Sequence, residues 1–212
     1  FVARNENFQS FVNTLTEISL NKDGSLEALK DCAYPESSNT VQETINNLIA
    51  TIGENIHLRR TAGLTVEKGL VCSYMHNALQ PGLGKIGVLI ALESSGDKKK
   101  IEKLGKQLAM HVAAANPLAL SPENIDPTEL EREKNILSEQ ARETGKPDKI
   151  IEQMVQGRLN KYYQEVCLLE QVFVVDGESK IRNVLKDAAN DIGDNVNIKG
   201  FVRFALGEGI EK

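Results

Sequence analysis

Residues 41–58 and 181–198 read as two copies of one pattern, and a chain that repeats itself in this way is constrained to build two related units. Val41-Gln42-Glu43-Thr44-Ile45 corresponds to Ile181-Arg182-Asn183-Val184-Leu185. Thr51-Ile52-Gly53-Glu54-Asn55-Ile56-His57-Leu58 corresponds to Asp191-Ile192-Gly193-Asp194-Asn195-Val196-Asn197-Ile198. The apolar positions agree, and Gly and Asn recur at the same places. Each copy predicts an amphipathic helix closed by a glycine, which tolerates the left-handed conformation at a helix end, and then an alternating strand. The strands are expected near Asn55 and near Asn195. Chance similarity between two helix-Gly-strand units is the alternative reading.

Further strands are expected at 70–76 and 86–92, short apolar or alternating runs separated by Pro81-Gly82-Leu83-Gly84, and at Phe201-Val202-Arg203-Phe204-Ala205-Leu206. Three helical stretches lie between. In 99–115, Ile101, Leu104, Leu108, Val112 and Ala115 share a stripe that Asn116-Pro117 ends. Residues 126–144 open on Asp-Pro and close before Gly145-Lys146-Pro147. Residues 148–170 place Ile151, Met154, Val155, Leu159, Tyr162, Val166 and Leu169 on a narrow seam with alternating charges outside it. Such a seam suits an antiparallel arm that returns through Asp176-Gly177 and a helix over 178–190, or an ordinary core helix.

The expected fold class is therefore α+β: two related subdomains, each a small antiparallel sheet covered by helices, with an inserted antiparallel helical hairpin as a coiled-coil arm. The expected division is 1–98 for the first core subdomain, 99–147 with 191–212 for the second, and 148–190 for the arm. With 212 residues, 41% of them hydrophobic, the chain can fill such cores.

Charge narrows the function. A formal net charge of -5 lacks the basic surface that non-specific binding to nucleic acid or anionic lipid requires. Aromatic residues are 5% with no Trp, so stacking platforms for single-stranded bases are few. A protein or a small molecule is the expected partner, with no nucleic acid and no membrane. Cys32, Cys72 and Cys167 are widely spaced and form no CxxC pair, which suits neither a disulfide framework nor a zinc site and fits a reducing, cytoplasmic setting. No apolar run reaches the roughly 18 residues of a membrane span, and no segment resembles a signal peptide. The chain begins at Phe1 without Met and is expected to be the core of something longer.

No motif for covalent chemistry is found. There is no phosphate-cradling GxxxxGK followed by Ser or Thr, no GxGxxG after a strand, no GxSxG and no HExxH. His57, His76 and His111 have no Cys or His at metal-ligand spacing. The expectation is no catalytic residue, no metal and no cofactor. His111 is singled out because it falls beside Leu108, Val112 and Ala115. It is either a core histidine hydrogen-bonded to backbone or the polar anchor of a docking helix. Phe1, ahead of Phe8, Val12 and Leu15 at helical spacing, is either a staple or core element or a surface wedge.

Phe1-Val2-Ala3-Arg4-Asn5, Ile52-Gly53-Glu54-Asn55-Ile56 with Arg59-Arg60, Ser73-Tyr74-Met75-His76 and Ile86-Gly87-Val88-Leu89 occur in one order with Ala109-Met110-His111-Val112-Ala113-Ala114. Gly145-Lys146-Pro147, Met154-Val155-Gln156-Gly157-Arg158, Gly200-Phe201-Val202-Arg203-Phe204 and Gly207-Glu208-Gly209-Ile210-Glu211-Lys212 follow. In this order the chain resembles bacterial translation elongation factor Ts over nearly its whole length. The family's Thr and Asp before Phe1, its small amino-terminal helical domain and its carboxy-terminal tail are not in this sequence, and the loop over 77–85 is longer and richer in glycine.

The resemblance implies a guanine-nucleotide exchange factor that binds elongation factor Tu, GDP-bound or nucleotide-free, and acts without bond chemistry. It implies that Phe1, supported by Val2 and Ala3, wedges near the partner's magnesium and phosphate site. It also carries partner contacts to Ile86, Gly87 and His111. Two rival readings stand beside it. One is an assembly protein forming a homodimer through the helical arm, and the other is a small-molecule enzyme with a closed polar pocket.

Overall fold

A computed structural model of the chain describes residues 1–20 and 25–210. Glu211 and Lys212, which end the terminal motif, lie outside the described residues. Among those described, seven α-helices accompany one three-stranded antiparallel sheet, an α+β fold as expected. The helices are α1 (Glu6–Ser19), α2 (Leu26–Lys30), α3 (Val41–Ile52), α4 (Lys98–Ala115), α5 (Pro127–Arg142), α6 (Asp148–Val166) and α7 (Ile181–Ile192). The strands are β1 (Gly69–His76), β2 (Ile86–Glu93) and β3 (Asn197–Ala205), in the order β1-β2-β3.

The repeat is visible in the helices. Both α3 and α7 are 12 residues long and end on a left-handed glycine, Gly53 at φ +79° and Gly193 at φ +85°. At the start of α3 the Thr40 hydroxyl accepts from the Glu43 amide at 3.2 Å. The Glu43 carboxylate accepts from the Thr40 amide at 2.7 Å, a reciprocal cap for two otherwise orphan donors.

The segments after the two glycines diverge. The strand expected near Asn195 joins the Phe201 run in β3, which pairs with β2 from Ile86↔Ala205 to Glu93↔Asn197 through a bulge at Ala91/Leu92. The segment near Asn55 has no strand pairing; Ile56 and Leu58 instead lie against the helical cluster of Phe11, Leu15, Leu29, Val41 and Ile45. A strand needs a neighbouring strand to take its backbone groups, and only the second copy has one.

The chain divides into two compact units, Phe1–Thr65 with Met75–Lys85, and Val66–Tyr74 with Ile86–Lys212. The units thus part within the β1–β2 hairpin rather than at residue 98. The physical reason is burial: Cys72 of β1 and Val88, Ile90 and Leu92 of β2 share a core with Ile101, Leu104, Leu108 and Val112 of α4. The first unit's core is the α1–α3 cluster, with the Phe11 and Tyr34 rings stacked at 5.7 Å.

The arm expected over 148–190 is corrected in its pairing. The partner of α6 is α5: Leu130 and Tyr162 fall in one cluster, and the Arg158 guanidinium donates to Gln140 Oε1 at 2.9 Å. Helix α7 buries Ile181, Leu185 and Ile192 in the α4 core. With α7 packed in that core, α6 pairs with the helix before it.

Candidate functional site

At the amino terminus, Asn5 stops one turn and starts another. Its side chain accepts from the Phe8 amide at 3.1 Å, capping α1, while its own amide donates to the Val2 carbonyl at 2.9 Å. The Arg4 amide donates to the Phe1 carbonyl at 3.0 Å, closing a single 3-10 turn over Val2–Arg4. Gln9 Nε2, from the first turns of α1, donates to the Ala3 carbonyl at 2.7 Å. Phe1 thus stands at the head of a hydrogen-bonded mount with 88% of its surface exposed, while Val2 is half-buried and Ala3 exposed. The stripe behind it buries Phe11 and Leu15 and leaves Phe8 and Val12 half-buried.

Ile86 and Gly87 open β2 opposite Ala205 and Phe204 of β3, and both are half-buried. Ile86 also lies against the α4 core. The turn after β3 is held by an ion pair: Arg203 donates to Glu208 Oε1 at 2.9 Å, and Glu208 Oε2 accepts from the Ala205 amide at 3.3 Å.

His111 is not on a surface. It is fully buried in α4. Its ring bridges elements far apart in sequence. The Val174 amide can only donate, so Nδ1 at 3.2 Å accepts, and Nε2 carries the hydrogen it gives to Gln171 Oε1 at 2.9 Å. The Gln171 amide group then donates to the Glu165 carbonyl at 2.6 Å, at the end of α6. Burial holds the imidazole pKa below its ordinary range, opposed in part by the bond to Gln171. Its sequence neighbour Met110, which lies off that stripe, is exposed. Sequence reading missed Gln171 and Val174; the one signal was a polar group on an apolar stripe, which demanded partners without naming them.

The second unit also carries a cleft of about 330 Å³ lined by Glu67, Lys68, Glu93, Ser94, Asp194 and Asn195. Its polar groups hold the local fold: Asp194 accepts from the Ser95 amide at 2.7 Å and the Asn195 amide at 2.8 Å. Among the described residues no group of three or more His, Cys, Asp or Glu is arranged to hold a metal ion, and no helix is long and apolar enough to cross a membrane.

Comparison with known proteins follows the same motifs. The family described as Elongation factor TS matches residues 1–208. Elongation factor Ts of Rhodospirillum centenum is 56% identical over 212 residues, which is 100% of this chain and 69% of that protein. Its counterpart in Rhodospirillum rubrum is 56% identical over 213 residues, with the same shares. The Bartonella henselae protein of that name is 51% identical over 212 residues, again 100% of this chain and 69% of the relative. With the glycine-closed repeat helices, the Phe1 turn and the Arg203–Glu208 closure all lying in the matched span, the chain belongs to the elongation factor Ts family of translation elongation factors.

Proposed function

We propose that this chain promotes release of GDP from elongation factor Tu by binding it and distorting the site that holds the nucleotide and its magnesium ion. The proposed mechanism is linkage: interface energy is exchanged for nucleotide affinity, so nucleotide weakens factor binding by the same ratio that the factor weakens nucleotide binding. The chain makes and breaks no bond itself, and works in the cytoplasm.

The observation that carries this reading is Phe1. An 88% exposed aromatic ring gains nothing for its own fold, yet the turn beneath it is fixed by four hydrogen bonds, those of Arg4, Asn5, Phe8 and Gln9. A wedge needs that combination: apolar area to bury in a partner, on a mount that has already lost its conformational freedom. Val2 and Ala3 would flank the wedge, and Ile86 and Gly87 would grip a second part of the partner. His111 would act only from within, through the residues it positions.

The test is release of labelled GDP from elongation factor Tu with and without this chain. Acceleration that saturates with chain concentration is expected. Unaltered release at saturating concentration would defeat the proposal.

A further inference from the structure

We propose that His111 is an acid-sensitive latch: neutral, it ties the segment before α7 to α4 and α6, and a proton on Nδ1 releases that segment. The geometry is specific about which proton matters. Nδ1 is already the acceptor for the Val174 amide at 3.2 Å, and Nε2 is already committed to Gln171. A second proton can enter only at Nδ1, where it would meet an N–H that also donates, so the bond becomes a repulsion between two donors.

Among the described residues, the carboxylates on the neighbouring elements are already engaged with other groups. Glu170, on the single turn after α6, is paired with Lys180 and Arg182. Asp176, in the segment itself, accepts from the Glu178 and Ser179 amides. Glu165 of α6 reaches the network through its carbonyl, by way of Gln171. From β3, Arg203 faces the same helix, with Nε 3.5 Å from the Ala113 carbonyl, and is itself paired with Glu208 at 2.9 Å. Phe173 supplies an apolar face, its ring 5.9 Å from the imidazole. Lys180 lies beyond the segment, engaged with Glu170 at 3.0 Å.

The latch holds a short bent segment. Val172 bridges Lys180, the Phe173 amide donates to the Ser179 carbonyl at 2.8 Å, and side chains alternate, with Gln171 and Phe173 inward and Val172 and Val174 outward. Releasing Val174 therefore moves an exposed apolar edge of Val172, Val174 and Val175 while leaving the β2–β3 pairing untouched.

The test is nuclear magnetic resonance on the whole chain from about pH 7.5 to about pH 5, the range in which histidines titrate. The readouts are the imidazole nitrogen signals of His111 and the hydrogen-exchange protection of Val174 against that of the β2 amides. At neutral pH the ring should show the Nε2–H tautomer. On acidification, Val174 protection should fall about tenfold or more, the loss that one pH unit of proton binding supplies, and at a higher pH than any loss at the β2 amides, which follows global stability alone.

His111→Asn keeps an acceptor near Nδ1 but cannot titrate, so in it the pH dependence of Val174 should vanish. The opposite tautomer or an imidazolium at neutral pH, unchanged Val174 protection, loss of Val174 and β2 protection in one step at the same pH, or persistence of the effect in His111→Asn would each overturn the latch. If His111→Asn does not fold, the wild-type tautomer and the Val174-against-β2 comparison decide alone.

Discussion

His111 Nε2 lies 2.9 Å from Gln171 Oε1, joining the carboxy-terminal part of α4 to a residue sixty positions later, with both side chains buried. A buried imidazole with both nitrogens bonded is a structural tie whose strength depends on its staying neutral.

Acid should therefore weaken the protein before its carboxylates titrate. Burial lowers the His111 pKa in the folded state, so the unfolded chain binds the proton more readily. The tie's contribution is complete above about pH 6.5, the unfolded value, and is lost as pH falls from there toward the folded value. Urea unfolding at a series of pH values should show stability falling by up to about 1.4 kcal/mol per pH unit just below pH 6.5. A flat profile over that window would remove His111 from the account.

Gly105 sits in α4 where it faces β1, and a methyl group there would overlap Sγ and Cβ of Cys72. Gly105→Ala should destabilise the protein by about 1–3 kcal/mol despite alanine's better helix propensity. Thermal melting would reveal it. Adding Cys72→Ala, which removes the sulfur, should recover part of the loss because the two sites share one space.

Thr40→Ala removes the hydroxyl of the reciprocal cap on α3 and strands the Glu43 amide. A cost of about 1 kcal/mol is expected in urea unfolding, with Thr40→Ser nearly neutral. Equal losses for the two substitutions would mean that the hydroxyl is not what matters.

Phe1→Ala separates function from fold. The exposed ring contributes little to stability, so unfolding should shift by less than about 0.5 kcal/mol. Stimulated GDP release from elongation factor Tu should slow by about an order of magnitude, equivalent to about 1.4 kcal/mol in the transition state. Unchanged kinetics would remove the wedge, and a large stability loss would make Phe1 a core element instead.

The sequence read well where the signal is local. Periodicity and end signals placed α3 and α7, because Gly53 and Gly193 act on the backbone within a few residues of themselves. The stripe of α4 and its stop at Asn116, which turns left-handed at φ 48° before Pro117, were legible for the same reason. The class α+β and the strands 70–76 and 86–92 followed from alternation between turn residues. The seam of α6 was legible too, but a seam states only that something covers it. The chain could as well have offered α7 as α5, and the choice was made by which helix the α4 core claimed.

The sequence by itself determined most of the longer helices, the glycine ends of α3 and α7, the mixed class and the family, because each rests on residues that act locally or recur in a shared order. The tertiary structure alone decided that Asn55 begins no paired strand, that α6 lies against α5, and that His111 faces inward onto Gln171 and Val174. These are questions of which distant surface arrives first to bury apolar area or take a hydrogen bond. Nothing in a residue's near neighbours encodes that answer, since burial depends on contacts across the whole fold.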